Sequence, residues 1–269
     1  KMMEQQWERE CAEFLGEKSL GEEALSEEAL SKKPRGESLP KEKPYSLAFP
    51  GSHCPSCGAE ITALQNIPVF SYLFLRGRCA NCGVRIPIRY PIIELTTAIL
   101  WILCGLSFGV SNALAASMLL TAVLISLTVI DFDHQLLPDG LTLPLLWIGL
   151  LINIDGTFVG LESAVLGAVF GYLSLWSVYW LFKIITGKEG MGYGDFKLLA
   201  ALGAWFGLAA LPTIILMSSL VGAALGIALI VTGRQNRETP MPFGPFLAGA
   251  GLIHLFYPNV LMGFIAGTI

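Results

Sequence analysis

From Tyr90 onward the chain alternates long apolar runs with short polar breaks, whereas the stretch up to Arg89 has no apolar run of comparable length. Crossing the hydrocarbon of a bilayer takes about 20 mainly apolar residues in a helix. By that measure Ile92–Phe108, Ala113–Ile130, Leu141–Ile154, Val159–Ile185, Phe196–Ala210, Thr213–Val231 and Phe243–Ile269 predict about seven membrane helices. The last of these is one long helix or two shorter ones broken near Pro258. Leu141–Ile154 and Phe196–Ala210 are short for full spans and each follows closely on an aspartate, which predicts helices that begin at or within the membrane boundary.

Ahead of the membrane body, residues 1–49 read as a polar, partly flexible segment. Trp7, Cys11, Phe14 and Leu15 fall at helical spacing there, and Gly16–Pro44 is a linker bearing Glu and Pro. Residues 50–90 turn to Gly, Cys, Pro and Arg, too short a stretch for a hydrophobic core and suited to a metal-stapled fold. The expected fold is therefore all-α: a polytopic helix bundle over residues 91–269 carrying a small N-terminal zinc-knuckle head.

Composition supports this division. Hydrophobic residues make up 54% of the chain and charged ones 14%, with a mean hydropathy of +0.62, values of a membrane protein. The net charge of −4 comes largely from Gly21–Glu28 and offers no basic surface for nucleic acid. The positions of the cations add orientation. Arg76, Arg78, Arg85 and Arg89 precede the first span, Lys183, Lys188 and Lys197 follow the fourth, and Arg234 and Arg237 follow the sixth. The intervening turns Ser107–Asn112, Asp155–Gly160 and Ala209–Pro212 hold no Lys or Arg. The excess of positive charge on cytoplasmic loops then places Ile130–Gly140 and Gly187–Lys197 at the cytoplasmic face of the membrane.

Three groups of residues could carry chemistry. Cys54-Pro-Ser-Cys57 is followed after 21 residues by Cys79-Ala-Asn-Cys82, with Gly58 and Gly83 directly behind the pairs. Four thiolates in two such turns match a closed tetrahedral zinc site; a disulfide is the competing reading, which a reducing cytoplasm disfavours. The second group is Asp131, Asp133, His134 and Asp139 at the end of one span, and the third is Gly190-Met-Gly192-Tyr-Gly194-Asp195-Phe-Lys197. Ionisable groups at membrane depth point to function, and glycines before a carboxylate permit close approach of a ligand and an irregular chain path. Two carboxylates hydrolyse a peptide when one is ionised to take a proton from water and the other holds a proton for the carbonyl oxygen. Asp131 and Asp133 sit two apart on a helix, so at most one of them meets Asp195. Asp139 reads as a helix cap, and His254 as a satisfied buried histidine. A proton-coupled transporter relaying protons through the same aspartates is an alternative, although transporter carboxylates belong at mid-membrane depth rather than at one boundary.

Taken together, the two Cys-x-x-Cys pairs, Asn66-Ile67-Pro68-x-x-Ser71-Tyr72-Leu73, Arg76-Gly77-Arg78-Cys79, Arg89-Tyr90-Pro91-x-x-Glu94, Ile130-Asp131-x-Asp133-x-x-x-Leu137-Pro138-Asp139 and Gly192-x-Gly194-Asp195-Phe196-Lys197 resemble the type IV prepilin peptidases. The resemblance runs from about Pro50 to near the C-terminus. It implies a bifunctional inner-membrane enzyme that cuts the basic leader from type IV prepilins or type II secretion pseudopilins after a glycine. The same enzyme would then methylate the new N-terminal residue, commonly phenylalanine, with S-adenosylmethionine. On that likeness Asp131 and Asp195 are the catalytic aspartates, with Asp133 the alternative to the first, and Gly192, Gly194 and Lys197 support the second. The methyl-transfer site falls on the head around the zinc knuckle and Gly77. A peptidase without methylation is the narrower alternative. Members of the family usually open with a further membrane helix, so a longer chain ahead of Lys1 is expected.

Overall fold

The computed structural model describes residues 52–67, 69–187, 190–233 and 241–259. The segment expected over residues 1–49, the cations Lys188, Arg234 and Arg237, Pro68, and the second half of the last apolar stretch lie outside the described residues. The chain divides into two units, Lys1–Pro87 and Ile88–Ile269.

In the first unit two loops repeat one design. The carbonyl of Cys54 accepts from the Gly58 amide and that of Cys79 from the Gly83 amide, both at 2.9 Å. The Cys54 and Cys79 amides in turn donate to the carbonyls of Ala59 and Val84, again at 2.9 Å. Gly58 and Gly83 both adopt φ of +70°, where a side chain would be strained. Single antiparallel bridges, His53 with Glu60 and Arg78 with Arg85, close the two loops. Between them the chain makes a 3-10 turn, Ala63–Asn66, held by a capping box of Thr62 and Gln65, and a five-residue helix, Phe70–Phe74.

Among the described residues of the second unit, each apolar stretch of the sequence forms a helix. These are α1 (Arg89–Phe108), α2 (Asn112–His134), α3 (Asp139–Ile152), α4 (Leu161–Thr186), α5 (Tyr193–Phe206), α6 (Leu211–Val231) and α7 (Gly244–Phe256). Four are long and apolar enough to cross a membrane: α1, α2, α4 and α6 with its preceding turn. The helices α3 and α5 have 14 residues each, and α7 has 13. At about 1.5 Å per residue, 14 residues reach only about 21 Å, against about 30 Å of hydrocarbon.

The centre of this unit is α5. Beyond its first turn its sequence is apolar on all sides, and every residue from Asp195 to Phe206 except Lys197 is buried. It packs most extensively on α4, then on α3 and α7. The α4 contact is backbone against backbone. A methyl group on Gly167 or Gly203 would run into the other's carbonyl, and one on Gly171 would come within 2.7 Å of the Leu199 carbonyl oxygen. Lipid tails solvate apolar side chains as well as a neighbouring helix does, so membrane helices are held by such close packing and by hydrogen bonds.

Polar anchors fix the far end of α5. The fully buried Asn153 donates to the carbonyls of Ala204 and Trp205 at 2.9 and 3.0 Å and accepts from the amides of Phe158 and Val159 at 3.0 and 3.2 Å. One side chain thus satisfies two orphan carbonyls at the C-terminus of α5 and two amides of the α3–α4 connection. The Trp205 indole donates to the Leu145 carbonyl at 2.8 Å and covers Gly149, where no side chain would fit. His254 is buried against the Phe206 ring, with 5.1 Å between centroids, but its Nδ1 has no hydrogen-bond partner among the described residues, contrary to the satisfied histidine expected.

Replacing Gly203 with Val is expected to destabilise the bundle by about 3 kcal/mol through overpacking against Gly167. Asn153→Ala is expected to cost a similar amount, about 3 kcal/mol, by orphaning buried backbone groups. Thermal unfolding of the detergent-solubilised protein checks both, with Gly105→Ala, which adds its methyl to open space, as the neutral control.

Candidate active site

Helix α2 ends at Gln135, whose left-handed φ of 53° turns the chain while its amide bonds the Asp131 carbonyl at 2.9 Å. Leu136, Leu137 and Pro138 then lead directly into α3. Asp131, in the last turn of α2, is only 4% exposed. Asp133 faces elsewhere: it is exposed and paired through both carboxylate oxygens with the Arg89 guanidinium of α1. His134 is exposed at the end of the same helix. Asp139 is not the cap that its position suggests. Pro138 occupies the N-cap, and Asp139 lies in the first turn of α3, where Lys197 Nζ contacts its two oxygens at 2.6 and 2.7 Å. Lys197 itself lies within α5 rather than in a loop, and so ties the start of α3 to α5.

Asp195 is the third residue of α5, after the N-cap Gly192, and is 7% exposed. The glycines ahead of it act differently from the expected irregular path. None of Gly190, Gly192 and Gly194 has a left-handed φ, and two of them are required by close approach. A methyl on Gly194 would lie 2.7 Å from Leu137 Cβ, and one on Gly190 2.8 Å from the Phe182 ring. At Gly192 the nearest atom to an added methyl would be Asp195 Oδ2 itself, at 3.8 Å, so this glycine leaves the space beside that oxygen open.

The first turn of α7 completes the group. The Gly244 amide donates to Asp131 Oδ2 at 3.0 Å in a buried hydrogen bond. The buried Leu137 packs its Cβ against Gly194 and its Cδ1 against Gly244, and so joins the first turns of α5 and α7 to the α2–α3 turn. Asp131 and Asp195 are close enough for their charges to act on each other. Three short helices therefore start at this end of the unit, with Asp139, Asp195 and the amide bound to Asp131 in their first turns. Helix N-termini carry partial positive charge and unpaired amides, so they accommodate carboxylates. An aromatic cluster clamps α5 here: Tyr179 of α4 lies 5.3 Å from Tyr193 and 5.6 Å from Phe196, and Tyr172 lies 5.9 Å from Phe196. Lys183 rests over the Tyr179 and Trp180 rings.

Sequence reading missed Gly244 and the spacer Leu137. The signal for Gly244 was present in Pro242-Phe243-Gly244-Pro245, where a proline at the first helical positions after a polar break marks a helix start.

In the head, the sulfurs of Cys54, Cys57, Cys79 and Cys82 all lie within 4.8 Å of one another, and those of Cys54 and Cys82 are 3.9 Å apart. None of the four is in a disulfide. Sulfurs about 2.3 Å from a tetrahedral zinc ion would be about 3.8 Å apart, so the donor set fits such an ion. The Ala59 backbone and the Asn81 side chain, 3.6 Å from the sulfur, hold Cys57 down to about 6. The backbone of Cys82 and Asn81 lowers Cys79. Gly77 adopts φ of +67° beneath the Tyr72 ring, with a methyl there 2.9 Å from Tyr72 Cζ, which explains the glycine on packing grounds alone.

Two family models match the chain: the bacterial peptidase A24 N-terminal domain over residues 30–108 and the type IV leader peptidase family over residues 118–227. The chain is 57% identical over 216 residues to the prepilin leader peptidase/N-methyltransferase of Aeromonas hydrophila, covering 80% of this chain and 74% of that protein. It is 51% identical to the Pseudomonas aeruginosa protein of that name, over 96% of this chain and 82% of the relative. Identity to the Dichelobacter nodosus protein is 52%, over 81% and 75%. No solved structure matches. With both halves matched and relatives this similar along most of their length, the chain belongs to the type IV leader peptidase family.

Proposed function

We propose that this protein is a multi-pass inner-membrane aspartic peptidase that cleaves the leader from type IV prepilins and pseudopilins and then methylates the new N-terminus with S-adenosylmethionine. The observation that carries the peptidase is the pair Asp131 and Asp195, two buried carboxylates on separate helices at the end where three short helices begin. Asp131 is preferred to Asp133 as the partner of Asp195 because Asp133 is exposed and engaged by Arg89. The positive charge of the loops on this side supports a cytoplasmic active site.

In the reaction, one carboxylate of the dyad takes a proton from water as the water oxygen bonds to the scissile carbonyl carbon. The other gives its proton to the carbonyl oxygen. Collapse of the tetrahedral intermediate breaks the C–N bond, and the departing amine receives a proton from the dyad. Gly192 leaves the approach to Asp195 Oδ2 open for the peptide, Leu137 keeps the two first turns at their spacing, and Lys197 holds α3 in place through Asp139.

Zinc is proposed for the four cysteines, where it would staple a head too small to hold itself by apolar burial. The methyl-transfer site is proposed on the same head, around Gly77, a placement supported by the family resemblance. S-adenosylmethionine would supply an electrophilic methyl group to the freed amine.

Asp131→Asn and Asp195→Asn are each expected to lower prepilin cleavage roughly 1,000-fold or more while the protein still folds, whereas Asp133→Asn stays within about threefold of wild type. Cleavage kinetics in membranes check this: equal activity in wild type and Asp195→Asn would overturn the dyad, and no cleavage by the wild type would return the transporter reading. Cys57→Ser is expected to lower zinc content from about one ion per chain, as read by metal analysis of the purified protein. Labelled S-adenosylmethionine is expected to mark the cleaved pilin; cleavage without label would leave the peptidase alone.

A further inference from the structure

Asp131 and Asp195 sit on α2 and α5, but the side chain of Asp131 is held by a third element. The Gly244 amide, the first of α7, donates to Oδ2 at 3.0 Å in a buried contact. No other described residue hydrogen-bonds this carboxylate, so Oδ1 is left as the oxygen that can exchange a proton with water or peptide. The contact has no slack. A methyl at Gly244 would stand 2.7 Å from Oδ2, 3.2 Å from Cγ of Asp131 and 3.2 Å from Leu137 Cδ1. Oδ2 is one end of a carboxylate that is itself wedged among buried groups, and Leu137 is pinned from its other side by Gly194.

The flanking sequence makes the donor rigid. Pro245 follows Gly244 in the first turn, where its fixed φ suits a helix and its missing N–H costs nothing. The Gly244 N–H is one of the amides a helix cannot use internally, and here its partner is Asp131.

We infer that Gly244 is a positioning residue of the dyad: its amide fixes the rotamer of Asp131 so that Oδ1 faces the reacting peptide, and glycine is required because any side chain displaces that carboxylate. This inference rests on the peptidase reading. The role is carried by the backbone, so the residue's chemistry is its lack of a Cβ and its N–H. Misplacing a catalytic group by about 1 Å costs on the order of 100-fold in rate.

The test compares Gly244→Ala with Gly249→Ala in the full-length, detergent-solubilised protein cleaving a prepilin. Both substitutions put one methyl on α7, but the methyl of Gly249→Ala enters open space. Gly244→Ala is expected to lower kcat about 100-fold with KM within about twofold and the unfolding midpoint close to wild type, while Gly249→Ala cleaves like wild type. Cleavage by Gly244→Ala within threefold of wild type overturns the inference. So does a loss shared by Gly249→Ala, a loss expressed in KM, or one accompanied by a collapsed unfolding midpoint, each of which assigns Gly244 to substrate binding or to the fold. A wild-type protein that does not cleave would instead remove the peptidase reading itself.

Discussion

The backbone contact between α4 and α5 at Gly167 and Gly203 is the constraint on which the membrane unit depends. With no side chain between them, the two helices approach closely enough for α5 to be enclosed by α3, α4 and α7 together. Enclosure fixes the height of α5, and its height decides where Asp195 stands. The polar anchors at the other end, Asn153 and Trp205, act in the same direction by tying its last carbonyls and its indole to the α3 side of the bundle. A helix held at both ends and along its middle has little freedom to slide, and the Asp195 carboxylate in its first turn inherits that rigidity.

The end that holds Asp131 and Asp195 shows the same economy with different parts. Leu137 lies within 3.2 Å of where a methyl on either Gly194 or Gly244 would stand, so one leucine sets the spacing of two helix starts. Ion pairs contribute at the rim: Arg89 with Asp133 and Lys197 with Asp139. Exposed pairs of this kind are worth about 1 kcal/mol or less in stability, and their value here lies in register, since each joins two different helices.

Much of this was legible in the sequence. The apolar runs gave the helices, because twenty apolar residues have few other fates, and the short runs behind aspartates gave the two 14-residue helices. The paired cysteines gave their own cluster, since the Cys-x-x-Cys-Gly turn is a local structure that needs no tertiary context. What stayed hidden was set by partners far along the chain. Asp139 read as a cap because its ion partner Lys197 lies 58 positions away, and Gly244 went unremarked within the Phe243–Ile269 run because Asp131 lies 113 positions away. The glycines before Asp195 read as room for a ligand and an irregular chain path, and the neighbours that two of them make room for, Phe182 beside Gly190 and Leu137 beside Gly194, are set by the tertiary fold.

The length of α3, whose Trp147 and Leu151 side chains are exposed, has a consequence for the lipid beside it. A helix of about 21 Å in a hydrocarbon layer of about 30 Å leaves a shortfall of about 9 Å. The bilayer must thin at this flank or water must fill the gap, and either is an energetic mismatch that a longer helix would avoid. For a hydrolase such a mismatch has a use, since a thinner or wetter flank would bring bulk water nearer to the carboxylates that consume it.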